Sequence, residues 1–493
     1  MNRPGLPSGD GPHGFRGPRS TPIMAGAMST RVSRFADRFV EAGWLAAIIV
    51  TPLFFDVWSN RVFEPDKLTL LRSIALMMVA ATTVRWAEVG APTRAEVGRW
   101  LRIPLVVPVL LITASYALST VTSVVPFQSL TGGYQRLQGF YSWLAYVVVF
   151  LGIVALVRDR GRLDRLVFAL ILPSLPVGLY GIVQKFGREI MPWQGDTTKR
   201  IASTMGNSIF VAAFLIVVVP LTMARLAEAM RDLDENEGNA AVLRVSGYLV
   251  LLAIQLLAVV FSQSRGPLLG LLGGVFFLFL LMAALKASRR GMAAVVGAGV
   301  AVAAFLVVFN LPASPLAPLR GVPYVGRLGR VFETHSGTGR VRVLIWEGAV
   351  ELIESDPTRL MVGWGPESMQ VAYTPFYQPE LGTLESRNAS PDRSHNEVFD
   401  VLINLGLLGL AAHLLLFTSL FYYGLKWLGF IDNATWRNLF LGLWAGGGAL
   451  SAVAFQWWAG NATFFGVALP AGMVAGLFAF VALRAIRGWS PPD

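Results

Sequence analysis

The 493-residue chain contains no cysteine, so disulfides, thiolate catalysis, iron–sulfur clusters and cysteine-ligated zinc are excluded. Charge is scarce as well. Charged residues make up 14% of the sequence against roughly 25% in soluble domains, too few to cover several water-facing surfaces, which excludes an ordinary soluble enzyme. Histidine is rarer still: His13, His335, His395 and His413 are scattered and no His-Glu-x-x-His occurs, so a zinc-dependent intramembrane protease has no ligand set. No internal repeat is present. A cleavable signal is not expected, because the first apolar run begins near Phe39 and continues to Trp58 as a full-length span.

What the chain has in abundance is apolar surface. Hydrophobic residues make up 54%, mean hydropathy is +0.56, and a helix crosses hydrocarbon with about 20 such residues. Nine runs lack Asp, Glu, Lys and Arg: 103–135, 137–157, 166–184, 201–224, 245–264, 266–285, 291–319, 401–425 and 438–483. The last is long enough for two spans turning near Gly460-Asn461, and weaker runs at 39–57 and 67–85 contain or abut Glu41, Asp56 and Arg72. The expected fold is therefore all-α and polytopic, with about twelve transmembrane helices and one large extracytoplasmic loop. Its parts are a disordered cytoplasmic tail (1–38), nine spans (39–310), the loop (311–395), three spans (396–485) and a short cytoplasmic tail (486–493). Lys and Arg are retained on the cytoplasmic side. With both termini inside, 24 of the 41 basic residues fall in inner segments and eight in the short outer ones. The net charge of +11 thus reads as a topology signal, not as a nucleic-acid surface.

The loop 311–395 is the one large water-facing piece. Val341, Leu344, Ile345, Ala349 and Leu352 recur at the spacing of one apolar helix face, with Arg342, Glu347, Glu351 and Glu354 mostly off it. Asp356-Pro357 ends that helix, and the glycine-rich turn Gly363-Trp364-Gly365-Pro366 follows. Such a helix also suits a membrane surface. The loop closes on Ser394-His395-Asn396-Glu397, where Ser followed three residues later by Glu predicts a capping box and places His395 in the first turn of the tenth span. The positive helix end disfavours imidazolium there, which keeps the ring neutral and able to accept a proton. Asn396, Asp400 and Asn404 continue inward on one face.

Three arginines stand at outer span ends, where basic residues are depleted: Arg136, Arg200 and Arg265. Each alone can snorkel to lipid phosphate. Together, beside His395, their planar forks of donors suit a lipid-linked phosphate or pyrophosphate. The polar groups inside the spans, Arg72 and Gln255, read as unpaired, and Pro173 with Pro176 breaks the fifth span. A flippase or transporter is the alternative from another class.

The ordered set Arg342, Trp346, Pro357, Gly363-Trp364-Gly365-Pro366, His395-Asn396 and Gly406-Leu407-Leu408-Gly409 resembles the signature loop of the O-antigen ligase and polymerase-related membrane proteins. Upstream, Arg136 with Gly139, Arg200 with Ser203 and Gly206-Asn207, and Ser264-Arg265-Gly266 are similar to that family's outer motifs, so the resemblance covers about residues 40–485. It implies a GT-C-like bundle in the bacterial cytoplasmic membrane and a metal-independent, inverting transferase without cofactor. The donor would be a glycan on undecaprenyl pyrophosphate, and the acceptor a hydroxyl of a glycan, lipid or protein. By the same resemblance His395 is the catalytic base, Arg200, Arg265 and Arg136 bind pyrophosphate, and Asn396 and Asp400 support the site. The family often has an acid where Asn404 stands, and the polymerases' Arg-x10-Gly pattern is absent from the loop, which favours a ligase over a polymerase.

Overall fold

A computed structural model describes residues 30–487, apart from 57, 60–62, 190–194, 236–237, 287 and 386–388. Among these residues the protein is helical throughout, without a strand. Nine helices are long and apolar enough to cross a membrane. Three of the predicted spans fall outside that set: the helix Arg31–Leu53, and the shorter apolar helices Val106–Val121 and Phe140–Leu156. Side chains on these helices turn outward to a degree no water-soluble bundle would tolerate. Arg289–Asn310 buries only 11% of its most apolar window, so most of its surface is suited to lipid.

The tail boundary shifts. Residues 31–38, assigned above to a disordered tail, begin the first long helix, because Thr30 caps it by accepting from the Ser33 N–H at 3.0 Å. Ser33, Ala36, Val40, Trp44 and Ala47 then form its buried stripe. At the other end of this helix Lys67 donates to the carbonyls of Thr51, Pro52 and Phe54 at 3.0, 2.9 and 2.6 Å, satisfying acceptors that a helix C-terminus leaves open. The fifth predicted span starts earlier than expected, as Arg160–Ile171, and resumes after Pro173 as Ser174–Lys185. Arg72 and Gln255 are partnered. Arg72 donates to Ser142 Oγ at 2.9 Å and to the Thr131 and Leu137 carbonyls, while Gln255 donates to Ser174 and Thr222 at 2.7 and 2.9 Å. Both are cross-links between helices.

The last two helices, Ala434–Ala459 and Phe465–Ile486, turn through Gly460 at φ +73°. They approach so closely that a Cβ on Gly472 would lie 2.1 Å from the Gly447 carbonyl, the small-residue contact that replaces hydrophobic driving force between helices in lipid. The long helix Glu397–Trp427 packs on Val106–Val121 and is broken at Gly406, where φ is 65° and ψ −166°. That break positions the site.

Candidate active site around His395

An α-helix broken at one residue releases carbonyls that its own turns no longer serve. Here the Ile403 carbonyl accepts from the Trp364 N–H at 2.7 Å and the Asn404 carbonyl from the Ser119 hydroxyl at 2.5 Å. The Gly363-Trp364-Gly365-Pro366 turn is therefore wedged into the break. A Cβ on Gly406 would stand 2.4 Å from the Met361 carbonyl, and one on Gly363 would stand 2.4 Å from the Asn404 carbonyl. The short rod from Glu397 to Leu405 is thereby held apart from the rest of the span.

The helix predicted from the apolar spacing runs Gly337–Glu354, and its buried face of Leu344, Ile345, Ala349, Leu352 and Ile353 packs on Phe399, Leu402 and Ile403 of that rod. It covers protein, not a membrane surface. Asp356 ends it as predicted, capping the next helix through the Thr358 and Arg359 N–H groups. From its middle, the Trp346 Nε1–H donates to the Ser394 carbonyl at 2.9 Å.

The start of the tenth span differs from the capping box predicted on Ser394. The N-cap is Asn396, whose Oδ1 accepts from the Val398 and Phe399 N–H groups at 3.0 and 3.3 Å. Asn and Ser compete equally for this position, and Ser394 is taken by another partner. Its N–H and hydroxyl both lie 2.8 Å from Asp400 Oδ1, and Asp400 is buried. His395 is consequently outside the helix, in the left-handed region at φ +55°. Its side chain is exposed and its ring has no hydrogen-bond partner among the described residues. The protein around it still desolvates the ring, and this together with the Arg342 charge lowers its pKa below the usual histidine value, against the opposing pull of Asp400 and Asp392. The neutral imidazole expected from the helix end has a different main cause, desolvation by the surrounding protein, and the ring is held by its backbone without a hydrogen-bond partner among the described residues.

The arginines divide into two groups. Arg200 donates to the Ser262 carbonyl at 3.2 Å and to Ser264 Oγ at 3.3 Å, and Arg265 reaches the Arg330 carbonyl, with Glu333 at 3.9 Å. Burial, and then the charges of Arg327, Arg265 and Arg342, disfavour the Arg200 cation. Arg327 anchors to the Gln263 carbonyl at 2.9 Å, and Arg342 is exposed with no ion pair among the described residues. Arg200, Arg265, Arg327 and Arg342 thus gather positive charge on one side of the protein. Beside it lies a pocket of about 180 Å³ floored by Val259, Val260 and Leu268 and rimmed by Arg265 and Arg327.

Arg136 belongs elsewhere. Its guanidinium bonds Asp392 at 2.5 Å and Glu64 at 3.1 Å, and both carboxylates hold it in its charged form. Gln138 joins the same Glu64 at 2.5 Å and accepts from Arg393, while buried Glu367 accepts from the Gly133 N–H at 2.6 Å and lies 3.4 Å from Arg393. The two residues preceding Ser394 and His395 are thus braced against two segments, 136–138 and Glu367, the first of them held in turn by Glu64.

Residues 249–414 match the family model described as O-antigen ligase. In this segment, about a third of its length, the chain is similar to the O-antigen ligase family. No curated protein matches the chain. The matched segment contains Arg265, Arg327, Arg342, His395 and Asp400, whereas Arg136 and Arg200 lie before it. Arg327 escaped the sequence reading, although the run Arg320, Arg327, Arg330 in the loop was its signal. Arg342 entered that reading only within the family pattern and off the apolar helix face.

Proposed function

We propose that this protein is an O-antigen ligase-like glycosyltransferase that moves a glycan from undecaprenyl pyrophosphate to an acceptor hydroxyl. One observation carries the reading. Arg342 lies within electrostatic range of His395 and also of Arg200 and Arg265, which supports reading the unbonded base and the guanidiniums as parts of one site. His395 accepts the proton of the acceptor hydroxyl, whose oxygen attacks the anomeric carbon and inverts it. The bond from that carbon to the pyrophosphate oxygen breaks, and the electron pair stays on the pyrophosphate. Arg200 and Arg265, with Arg327 and Arg342, stabilise that charge, the electrostatic contribution that dominates many active sites. The pocket floored by Val259, Val260 and Leu268 takes the first prenyl unit. Asn396 and Asp400 hold the turn on which His395 sits, and Arg136 positions the same turn by bracing Asp392. Twelve spans with both termini cytoplasmic put this chemistry at the outer face of the cytoplasmic membrane, where donor and membrane lipids meet a glycan, lipid or protein acceptor. Because the loop lacks the Arg-x10-Gly pattern, a ligase is preferred to a polymerase.

The test is transfer in proteoliposomes with a lipid-pyrophosphate glycan and outer-envelope acceptors, products being read by mass. The wild type moves the glycan intact and His395→Ala does not. Movement of the lipid-linked donor across the bilayer without transfer to any acceptor overturns the assignment in favour of a flippase.

A further inference from the structure

A second site lies at the end of the bundle remote from His395. The helix Glu64–Val89 relates the two, since Glu64 joins the Arg136 network and Arg85 lies about 32 Å further along the axis at ~1.5 Å per residue, close to the roughly 30 Å of a hydrocarbon core. Around Arg85 opens a cleft of about 820 Å³ between four helices, walled by Val40, Met78, Leu110, Val148 and Leu151. It falls within the roughly 300–1,000 Å³ of small-molecule sites. Its mouth carries Trp86 and Trp100 together with Arg85, Arg158 and Arg162. A seven-residue helix, Arg94–Trp100, borders this mouth and is fixed by a capping box between Thr93 and Glu96.

The charges at the mouth are unequally partnered. Asp37 pairs with Arg85 at 2.9 Å, Glu96 accepts from the Thr93 N–H at 2.7 Å, and Arg162 bridges Glu41 at 3.3 Å and the Leu156 carbonyl at 2.7 Å. Arg158 is exposed, lines the cleft and makes no hydrogen bond or ion pair among the described residues. Arg162, Asp37 and Arg85 lie within electrostatic range of it, and the only acid among them is committed to Arg85. A single uncompensated guanidinium therefore stands over an apolar cleft with a tryptophan rim, the arrangement of a headgroup boundary.

We propose that this cleft binds one anionic glycerophospholipid of the adjacent leaflet, its phosphate on Arg158 and an acyl chain between Met78, Leu110 and Leu151. A soluble phosphate would leave the apolar wall uncovered, and a zwitterionic lipid would not offset the spare charge. The transfer site proposed around His395 is at the opposite membrane boundary, which, on that reading, argues against the polyprenyl donor as the occupant.

Native mass spectrometry of the full-length, delipidated protein in mild detergent tests this, with phosphatidylglycerol, phosphatidylcholine and undecaprenyl phosphate as probes. One phosphatidylglycerol is retained about tenfold more tightly than phosphatidylcholine, the worth of one charge-assisted hydrogen bond. Arg158→Gln brings phosphatidylglycerol to the level of phosphatidylcholine, Arg158→Lys keeps most of the preference, and Leu110→Trp, which fills the cleft from its exposed side, removes binding of both. Thermal unfolding without added lipid shows that the variants are folded. Equal retention of the two phospholipids by the wild type, no effect of Arg158→Gln or of Leu110→Trp, or tighter retention of undecaprenyl phosphate overturns the proposal. None of these readouts depends on transfer activity, so the His395 reading stands or falls separately.

Discussion

Removing the Asp400 carboxylate releases the turn that presents His395. In the wild type Asp400 Oδ1 receives the Ser394 N–H and hydroxyl, both at 2.8 Å, and hydrogen bonds to a charged group contribute about 1.5–3 kcal/mol each, so about 3–6 kcal/mol together. Against this stands the left-handed conformation of His395, which costs a non-glycine residue about 1–3 kcal/mol. The clamp exceeds the strain. In Asp400→Ala the closest restraint on that strain is gone and the Ser394 N–H is left without its acceptor, so the turn relaxes as far as Trp346 and the Asp392 and Arg393 braces allow; a displacement of about 1 Å at a catalytic group costs on the order of a hundredfold in kcat. Asp400→Asn keeps an acceptor oxygen, but its neutral bonds are worth about 1–3 kcal/mol in all, comparable with the strain, and the loss is about tenfold. The carboxylate also favours imidazolium at His395. A base must be unprotonated to act, and activity is lost as pH falls through its pKa; without Asp400 that pKa drops further, and the acid limb of the rate profile moves to lower pH in both variants. The assay is initial-rate glycan transfer against pH in proteoliposomes, with thermal unfolding as the folding control. A folded Asp400→Ala that transfers at the wild-type rate, with its acid limb in place, refutes the clamp.

Three further outcomes follow from the same geometry. His395→Gly abolishes transfer yet raises the unfolding temperature, because glycine adopts φ +55° without the roughly 1–2 kcal/mol left-handed penalty; scanning fluorimetry reads the shift, and a lowered temperature counts against the strain. Arg200→Ala weakens binding of the lipid-pyrophosphate donor by about tenfold or more, one charge-assisted contact, whereas Arg136→Ala lowers kcat with donor affinity unchanged. Equal donor affinity in both variants and the wild type would sink the division between the two groups of arginines. Gly406→Ala drives a Cβ to 2.4 Å from the Met361 carbonyl and exposes the loop to limited proteolysis; an intact loop in the folded variant contradicts the wedge.

Periodicity and charge revealed most of the helices, because a span is a local property of about 20 residues. The amphipathic helix and its stop at Asp356-Pro357 were legible for the same reason. Its partner was not, since a hydrophobic face does not say whether lipid or Phe399 and Leu402 will cover it. The cap was misplaced by two residues because Ser394 and Asn396 are both good caps, and what separates them is Asp400, which withdraws Ser394. Gly406 carries no local sign of a break; the break requires the Gly363–Pro366 turn, some forty residues upstream. Arg136 looked like Arg200 and Arg265 because sequence shows a guanidinium and hides its counter-ions, and both Glu64 and Asp392 are distant in the chain.

The wedge at Gly406 also sets an order of assembly. The Trp364 N–H has its acceptor on Ile403, and Asn396 and Asp400, which frame the turn bearing His395, belong to the same rod. During synthesis the loop therefore leaves the insertion machinery before the segment that completes it. Until Glu397–Trp427 has entered the bilayer, the turn bearing His395 has neither its N-cap Asn396 nor the Asp400 carboxylate that holds Ser394. On the proposed reading, a partly inserted protein therefore lacks the positioned base that transfer requires.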